Sequence, residues 1–365
     1  MASYRWLAYD LMSGESKGEL PLSGSPFFGG ELCGVGEFRA SLQLFHPNPR
    51  ISATWTAASI PERTIVFPDR DGALVGDGYI IWQRRRRGSG AALLTGLSFA
   101  SILRRERIIA DLLYEGVDQL TIAKALVDHL QSQPGAAFGI VTPAVTSGVL
   151  RDRTFYAYER KNLGEALAQL GAVENGFEWG IDVAWSAGVP VKTLRLSYPR
   201  RGRIAGSTGL VFELGKNMTD YDILEDGSRS ARTVDILGAG DGADMKISTK
   251  TRTELLDAGW PLTAEVIAAK DVSDQSTLDD HAAAAVAARA ATPQFLTCEI
   301  DPDDPESAFG QWITGDDVLV RISDHQFPRA SNGPGLEAYY RIISWTMTVD
   351  DNEGEKLAVT LGAIS

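Results

Sequence analysis

The chain is poor in the side chains that most often carry chemistry. It has 2 cysteines and 4 histidines in 365 residues. Cys33 and Cys298 are far apart and supply neither a disulfide framework nor a thiolate zinc site; they read as small buried thiols. His46, His129, His281 and His325 sit in unrelated local contexts, and none belongs to a metal-binding helix motif. No apolar run is long enough to span a bilayer, and the N-terminus lacks the basic stretch and apolar core of a signal peptide. Positive charge is also short: 35 Lys and Arg stand against 48 Asp and Glu, a net charge of −13. Such a surface repels phosphate, so stable nucleic-acid binding is not expected. No catalytic residue, cofactor or metal ligand is expected.

What is present is strand pattern. Hydrophobic content of 44% and charged content of 23% are globular values, and 365 residues suggest two to four domains. In the last third, Gly315-Asp316 makes a turn, and Val318, Val320 and Ile322 alternate with Leu319, Arg321 and Ser323. After a Pro/Gly-rich loop, Tyr340, Ile342, Ser344 and Thr346 alternate with Arg341, Ile343, Trp345 and Met347. A turn at 350–354 leads into 357–362. The period is two and turn residues sit between the runs, so consecutive antiparallel strands are expected. The same layout occurs earlier: strands at 64–67, 79–82 and 92–96, with turns at 69–72 and 88–90. Tyr79, Trp82 and Gly96 fall in the same order as Tyr340, Trp345 and Gly362. The chain is expected to build one β-barrel-like module twice.

Between these runs the pattern is mixed. Ile122, Leu126 and Leu130 define an amphipathic helix over 118–131. Asn162 to Glu165 resembles a capping box ahead of a second helix. Phe177, Trp179, Ile181, Val183 and Trp185 mark a strand whose partner is 191–198. Strands at 209–214 and 231–238 are assigned to the second module, and an alanine-rich helix runs from 276 to about 291. The expected division is a first β-barrel domain at 1–105, an α/β domain at 106–205 continued at 251–296, and a second barrel at 206–250 closed by 297–365.

Few stretches resemble a site. Gly238-Ala239-Gly240-Asp241-Gly242 follows a strand, but no helix pattern follows it, so it reads as a hairpin loop. Asp301 to Glu306 crowds four carboxylates, but two prolines interrupt it and the glycine of a calcium loop is missing. Asp316-Asp317 alone does not make a hydrolytic pair. Arg84, Arg85, Arg86 and Arg87 form the one basic run, alternating between the two faces of a strand. It could meet nucleic acid, blunt an edge strand, or contact an acidic neighbouring subunit; the last two suit so acidic a chain better. With Trp82, Gly315, Asp316 and Trp345, these arginines are the structural and interface candidates.

The order of phrases resembles the tail hub proteins of long-tailed phages, which are similar to contractile-phage baseplate hubs and to the N-terminal part of type VI secretion spikes. The phrases are Leu94 to Ile108 leaving the first module, Tyr198-Pro199-Arg200-Arg201-Gly202-Arg203, Leu214 to Tyr221, Val272 to Leu278, and Gly315 to Val320. The resemblance implies an α+β, mainly β fold with two tube-like antiparallel β-barrels and inserted α/β domains. It implies a homotrimeric ring whose six barrels continue the six-fold tail tube and adapt it to three-fold symmetry. Its implied neighbours are a distal tail or tube ring above, fibre or plug proteins below, and a tape measure protein in the lumen. DNA passes through without stable binding, and the location is the tail tip of a virion assembled in the host cytoplasm. The chain stops at Ser365 after the second barrel, so no appended peptidase or lysozyme is expected. Two other readings compete: glycan binding through Trp55 or Trp312, and a hydrolase using carboxylates at 301–317.

Overall fold

A computed structural model describes residues 2–207, 209–228, 230–270, 272–289, 294–329, 331, 333–350 and 354–364. The first module comprises β1 (Tyr4–Asp10), β2 (Ser16–Glu19), β3 (Leu22–Glu31), β4 (Glu37–Gln43), helix α1 (Pro49–Ala57), β5 (Thr64–Arg70), β6 (Ala73–Leu74), β7 (Tyr79–Arg86) and β8 (Ala91–Ser98). The first insert holds β9 (Leu112–Asp118), α2 (Gln119–Gln131), β10 (Ile140–Val141), β11 (Leu150–Phe155), α3 (Leu163–Gly171), β12 (Glu178–Ser186) and β13 (Val189–Ser197). Asp118 and Asn162 start α2 and α3 by accepting backbone N–H groups that the first helical turn leaves unpaired. After β14 (Val211–Glu213) and β15 (Met218–Glu225) comes the second insert, with β16 (Thr233–Leu237), β17 (Ile247–Thr251), α4 (Thr253–Asp257), β18 (Ala264–Ala268) and α5 (Gln275–Arg289). Strands β19 (Gln294–Ile300), β20 (Asp317–Ile322), β21 (Leu336–Asp350) and β22 (Gly354–Ala363) complete the chain.

The fold is α+β, mainly β and mainly antiparallel. The two expected barrels are not separate. Among the described residues they form one 14-stranded sheet in the order β15-β19-β22-β21-β3-β4-β8-β7-β5-β1-β2, with β20 and β14 branching from β21 and β6 from β5. Its hydrogen bonding does not close on itself. The reason is the length of β21. Its first part pairs with β20, and the same edge further along pairs with β3, Ser344 opposite Glu31 and Thr348 opposite Phe27. One long strand thus belongs to one module and carries the other.

A second correction concerns 231–238. Thr233–Leu237 pairs with β17 and β18 in a separate 3-stranded sheet, not in the second module. Val234 and Ile236 are buried there under Leu278 and Ala282 of α5. Apolar alternation declares a half-buried strand but names no partner. The closing strands begin at Gln294, three residues before the expected 297.

The internal repeat is visible as topology. The first module pairs in the order β3-β4-β8-β7-β5-β1, and the second in the order β15-β19-β22-β21-β20-β14. Taken in chain order, the two sets match strand for strand. Only the last pair differs, since β1 runs antiparallel to β5 while β14 runs parallel to β20. The hairpins β7–β8 and β21–β22 each carry a bulge, at Trp82 and at Ile343. Superposing the bulges puts Tyr79 with Tyr340 and Thr95 with Thr360. Trp82 then corresponds to Ile343 and Gly96 to Leu361. Of the three expected correspondences, only the tyrosines coincide.

Both modules share one core. Trp6, Phe28, Phe38 and Tyr79 of the first pack in the same cluster as Phe212, Val320, Trp345 and Leu361 of the second. At the seam Trp345 lies on Gly30 of β3, where an added Cβ would fall 2.8 Å from the indole Nε1. Phe28 and Phe309 meet the same indole edge to face, with centroids at 5.6 and 4.8 Å. The other face of β5 and β7 packs Ile65, Phe67 and Ile80 against the first insert.

Trp345→Ala removes the ring that joins the modules and should cost about 3–5 kcal/mol of stability. A shift in denaturant midpoint measures it, and a loss below about 1 kcal/mol would contradict this placement.

Candidate functional site

The densest polar cluster lies where the first insert returns the chain to the sheet. After β13 the phrase Arg200-Arg201-Gly202-Arg203 meets the turn Gly315-Asp316-Asp317 that opens β20. Gly202 and Gly315 approach backbone to backbone: a Cβ on Gly202 would fall 2.2 Å from the carbonyl carbon of Gly315. Both have positive φ, 85° and 97°, which a side chain would strain. This contact gathers four arginines and four carboxylates. Asp316 is fully buried and accepts Arg203 N at 2.7 Å, Arg203 Nη2 at 2.5 Å and Ile313 N at 3.2 Å. Asp317 accepts Arg200 Nη2 at 2.5 Å and Ala205 N at 2.8 Å. Arg341 of β21 forks onto Glu178 of β12 at 2.7 and 2.6 Å, and Glu178 also accepts Arg201 N at 2.6 Å. Arg201 reaches Asp182 at 3.0 Å.

Asp77, in the loop before β7, borders this cluster. It keeps some exposed surface, but its carboxyl is enclosed by protein atoms. Burial pushes that carboxyl up to about 7; Asp182 adds to the rise and Arg201 opposes it. Contact with Asp316 through its hydrogen bond raises the Arg203 guanidinium further above its usual range. These groups hold one another. Sequence reading picked out Gly315 and Asp316 as candidates, quoted Arg200 and Arg203 in a family phrase without giving them a role, and did not single out Glu178 or Arg341. The signal available was the pairing of a Gly-containing basic turn with a Gly-containing acidic one.

The remaining candidates lie elsewhere. Trp345 is at the seam. Trp82 donates to Ser101 Oγ at 3.1 Å under the Arg105 guanidinium, which sits 4.2 Å from the ring centroid. With Arg104, Arg39 and Glu37 it lines a cleft of about 710 Å³. Arg84 turns in to the Thr56 carbonyl and Ser59 of the α1 segment, while Arg85, Arg86 and Arg87 are exposed at the hairpin tip. Trp312 is buried and donates to Ser307 O, so it offers no platform to a sugar; Trp55 is half-buried against the core and His46. Asp301 and Asp304 cap their own loop, and Asp303 meets Arg70 at 2.5 Å. Among the described residues no three His, Cys, Asp or Glu side chains group to hold a metal ion. Residues 238–242 turn between β16 and β17. The turn at 350–354 falls partly outside the described residues.

No protein-family model matches the chain, and no curated protein matches it in sequence. Solved structures match in fold. A tail protein from Neisseria meningitidis MC58 superposes with a TM-score of 0.62 at 14% identity, covering 98% of this chain and 96% of that one. The 43 kDa tail protein of prophage MuSo2 from Shewanella oneidensis gives 0.61 at 12% identity, covering 99% and 98%. A chain of the Francisella PdpA–VgrG complex gives 0.54 at 6% identity, covering 100% of this chain and 58% of that one. The chain therefore has the fold of phage tail proteins, shared with the VgrG complex.

Two outcomes follow from the junction. Asp316→Ala should cost about 3 kcal/mol by stranding buried backbone donors and separating the turns; a denaturant midpoint unchanged from the parent would refute it. Asp77 binds its proton more tightly folded than unfolded, so its contribution to stability falls as pH rises from about 4 to about 7. Thermal melting across that range should show a shallower fall for Asp77→Asn; parallel profiles would contradict the assignment.

Proposed function

We propose that the chain is a structural virion protein of a phage tail: the tail-tip hub, a homotrimeric ring that continues the tail tube and adapts six-fold to three-fold symmetry. The observation that carries this reading is the same six-strand order occurring twice on one sheet. A ring of three chains then offers six equivalent strand sets to a six-fold tube, which one module per chain could not do. The fold match over nearly the whole chain supports it. Enzymatic turnover has no part in this reading.

The sheet face away from the shared core is suited to line an aqueous channel. In register across the strands run Asp222, Thr297, Thr360, Ser344 and Glu31, and beside them Asp220, Glu299, Ala358 and Thr346. Hydroxyls and carboxylates dominate these rows, and they grip neither a base nor a phosphate. Arg39, on the same face, is paired with Glu37 at 2.5 Å. DNA would pass without stable binding, as the net charge of −13 also favours. A distal tail or tube ring lies above, fibre or plug proteins below, and a tape measure protein passes through the lumen before ejection.

Electron microscopy of virions carrying a gold-labelled tag on this chain tests the reading. Label should appear at the tail tip only. Label along the whole tube, or on the capsid, would overturn it.

A further inference from the structure

The repeat says more than that the modules are alike, because one module-to-module contact is already present inside the chain. In it, β3 of the first module adds antiparallel to residues 344–348 of β21, the part of that strand lying beyond β20. Each partner has a counterpart that is left open. By the bulge alignment, 344–348 of β21 corresponds to 83–87, the end of β7 and the residue after it. That stretch pairs with β8 on one side, while β5 reaches only Tyr79 and Ile80 on the other. By way of the neighbouring strands, 27–31 of β3 corresponds to 222–226. Phe27 faces Arg39 and then Thr95, as Asp222 faces Thr297 and then Thr360. Among the described residues β15 ends the sheet, with no strand on its outer edge.

We propose that these two open edges pair between copies: residues 222–226 of one chain add antiparallel to residues 83–87 of the next. The partner is a second copy of this chain. This deepens the ring reading above and rests on it. The register is carried over from the internal contact. It sets Arg87 opposite Asp222, Arg85 opposite Leu224 and Arg84 opposite Glu225.

Charge supports the pairing independently of the repeat. One edge is Gln-Arg-Arg-Arg-Arg and the other is Asp-Ile-Leu-Glu-Asp. Opposite charges directly across an antiparallel pair attract, while each strand alone holds like charges close together. Leu224 is 54% exposed on the open edge and would be covered by the Arg85 stem. Open edges invite strand addition, and a contact between two different edges is heterologous, so it propagates round a ring. The α1 segment does not block the site. It lies on the core face, where Arg84 touches Thr56 just as Trp345 touches Phe309 in the other module.

Sedimentation of the full chain tests this. The parent should sediment as a multiple of 39.4 kDa. Arg85→Glu with Arg87→Glu, or Asp222→Lys with Glu225→Lys, should weaken association about tenfold or more. A chain carrying Arg87→Glu together with Asp222→Lys, which reverses one facing pair and leaves Arg84 opposite Glu225, should associate as the parent does, with circular dichroism confirming the fold of each. Arg85→Cys with Leu224→Cys should give disulfide-linked multimers between chains. If the parent assembles while reversal has no effect and no crosslink forms, this interface is wrong and the ring can stand. If the parent stays monomeric, both fall.

Discussion

The contact between Gly202 and Gly315 governs how closely the first insert can approach the second module. Side chains on either glycine would push the two turns apart and take Arg200 and Arg203 off Asp317 and Asp316. Buried ion pairs of this kind add little net stability, because desolvation offsets most of the attraction. Their effect is to fix geometry. Asp316, Asp317 and Glu178 each accept from backbone N–H groups as well as guanidinium groups, so the exit from β13 docks in one way. That docking places Ala205 and Leu210, and hence β14, against β20.

The same constraint accounts for the one difference between the repeats. In the first module β1 comes from the N-terminus and runs antiparallel to β5. In the second, the chain arrives from the junction beside Asp317, so β14 must start where β20 starts and run parallel to it. The inserts leave the sheet between strands, after β8 and after β15, and the paired order is undisturbed. A duplicated module can therefore diverge in sequence while keeping its strand order. The shared core does the rest: Trp345 on Gly30 makes two modules one continuous sheet.

Strand existence was legible because period two with β-branched and aromatic residues survives in a single sequence. Helix α2 was legible from the spacing of Ile122, Leu126 and Leu130, and α3 from Asn162 as a cap. Helix α1 was not, because His46 to Pro49 reads as a strand stop before it reads as an Asn cap followed by Pro. Partner choice was the weakest point. The run containing Val234 and Ile236 is as good a strand in either sheet, and only the chain around it decides. Tyr79 and Tyr340 marked the repeat correctly. Trp82 did not correspond to Trp345: Trp82 is itself the bulged residue of its hairpin, while Trp345 stands two residues past the bulge at Ile343. The ion-pair junction was only half legible: Asp316 stood out by its turn, but Arg203 and Glu178 are distant in sequence and meet only through the fold.

The central claim is that one chain carries the pore-wall unit twice along a single sheet, so that a few copies surround one axis. Rotational averaging of electron micrographs of the purified assembly tests this most directly. The account predicts three chains and six similar lobes around an open centre. A two-fold particle, or lobes that do not share an axis, would contradict it.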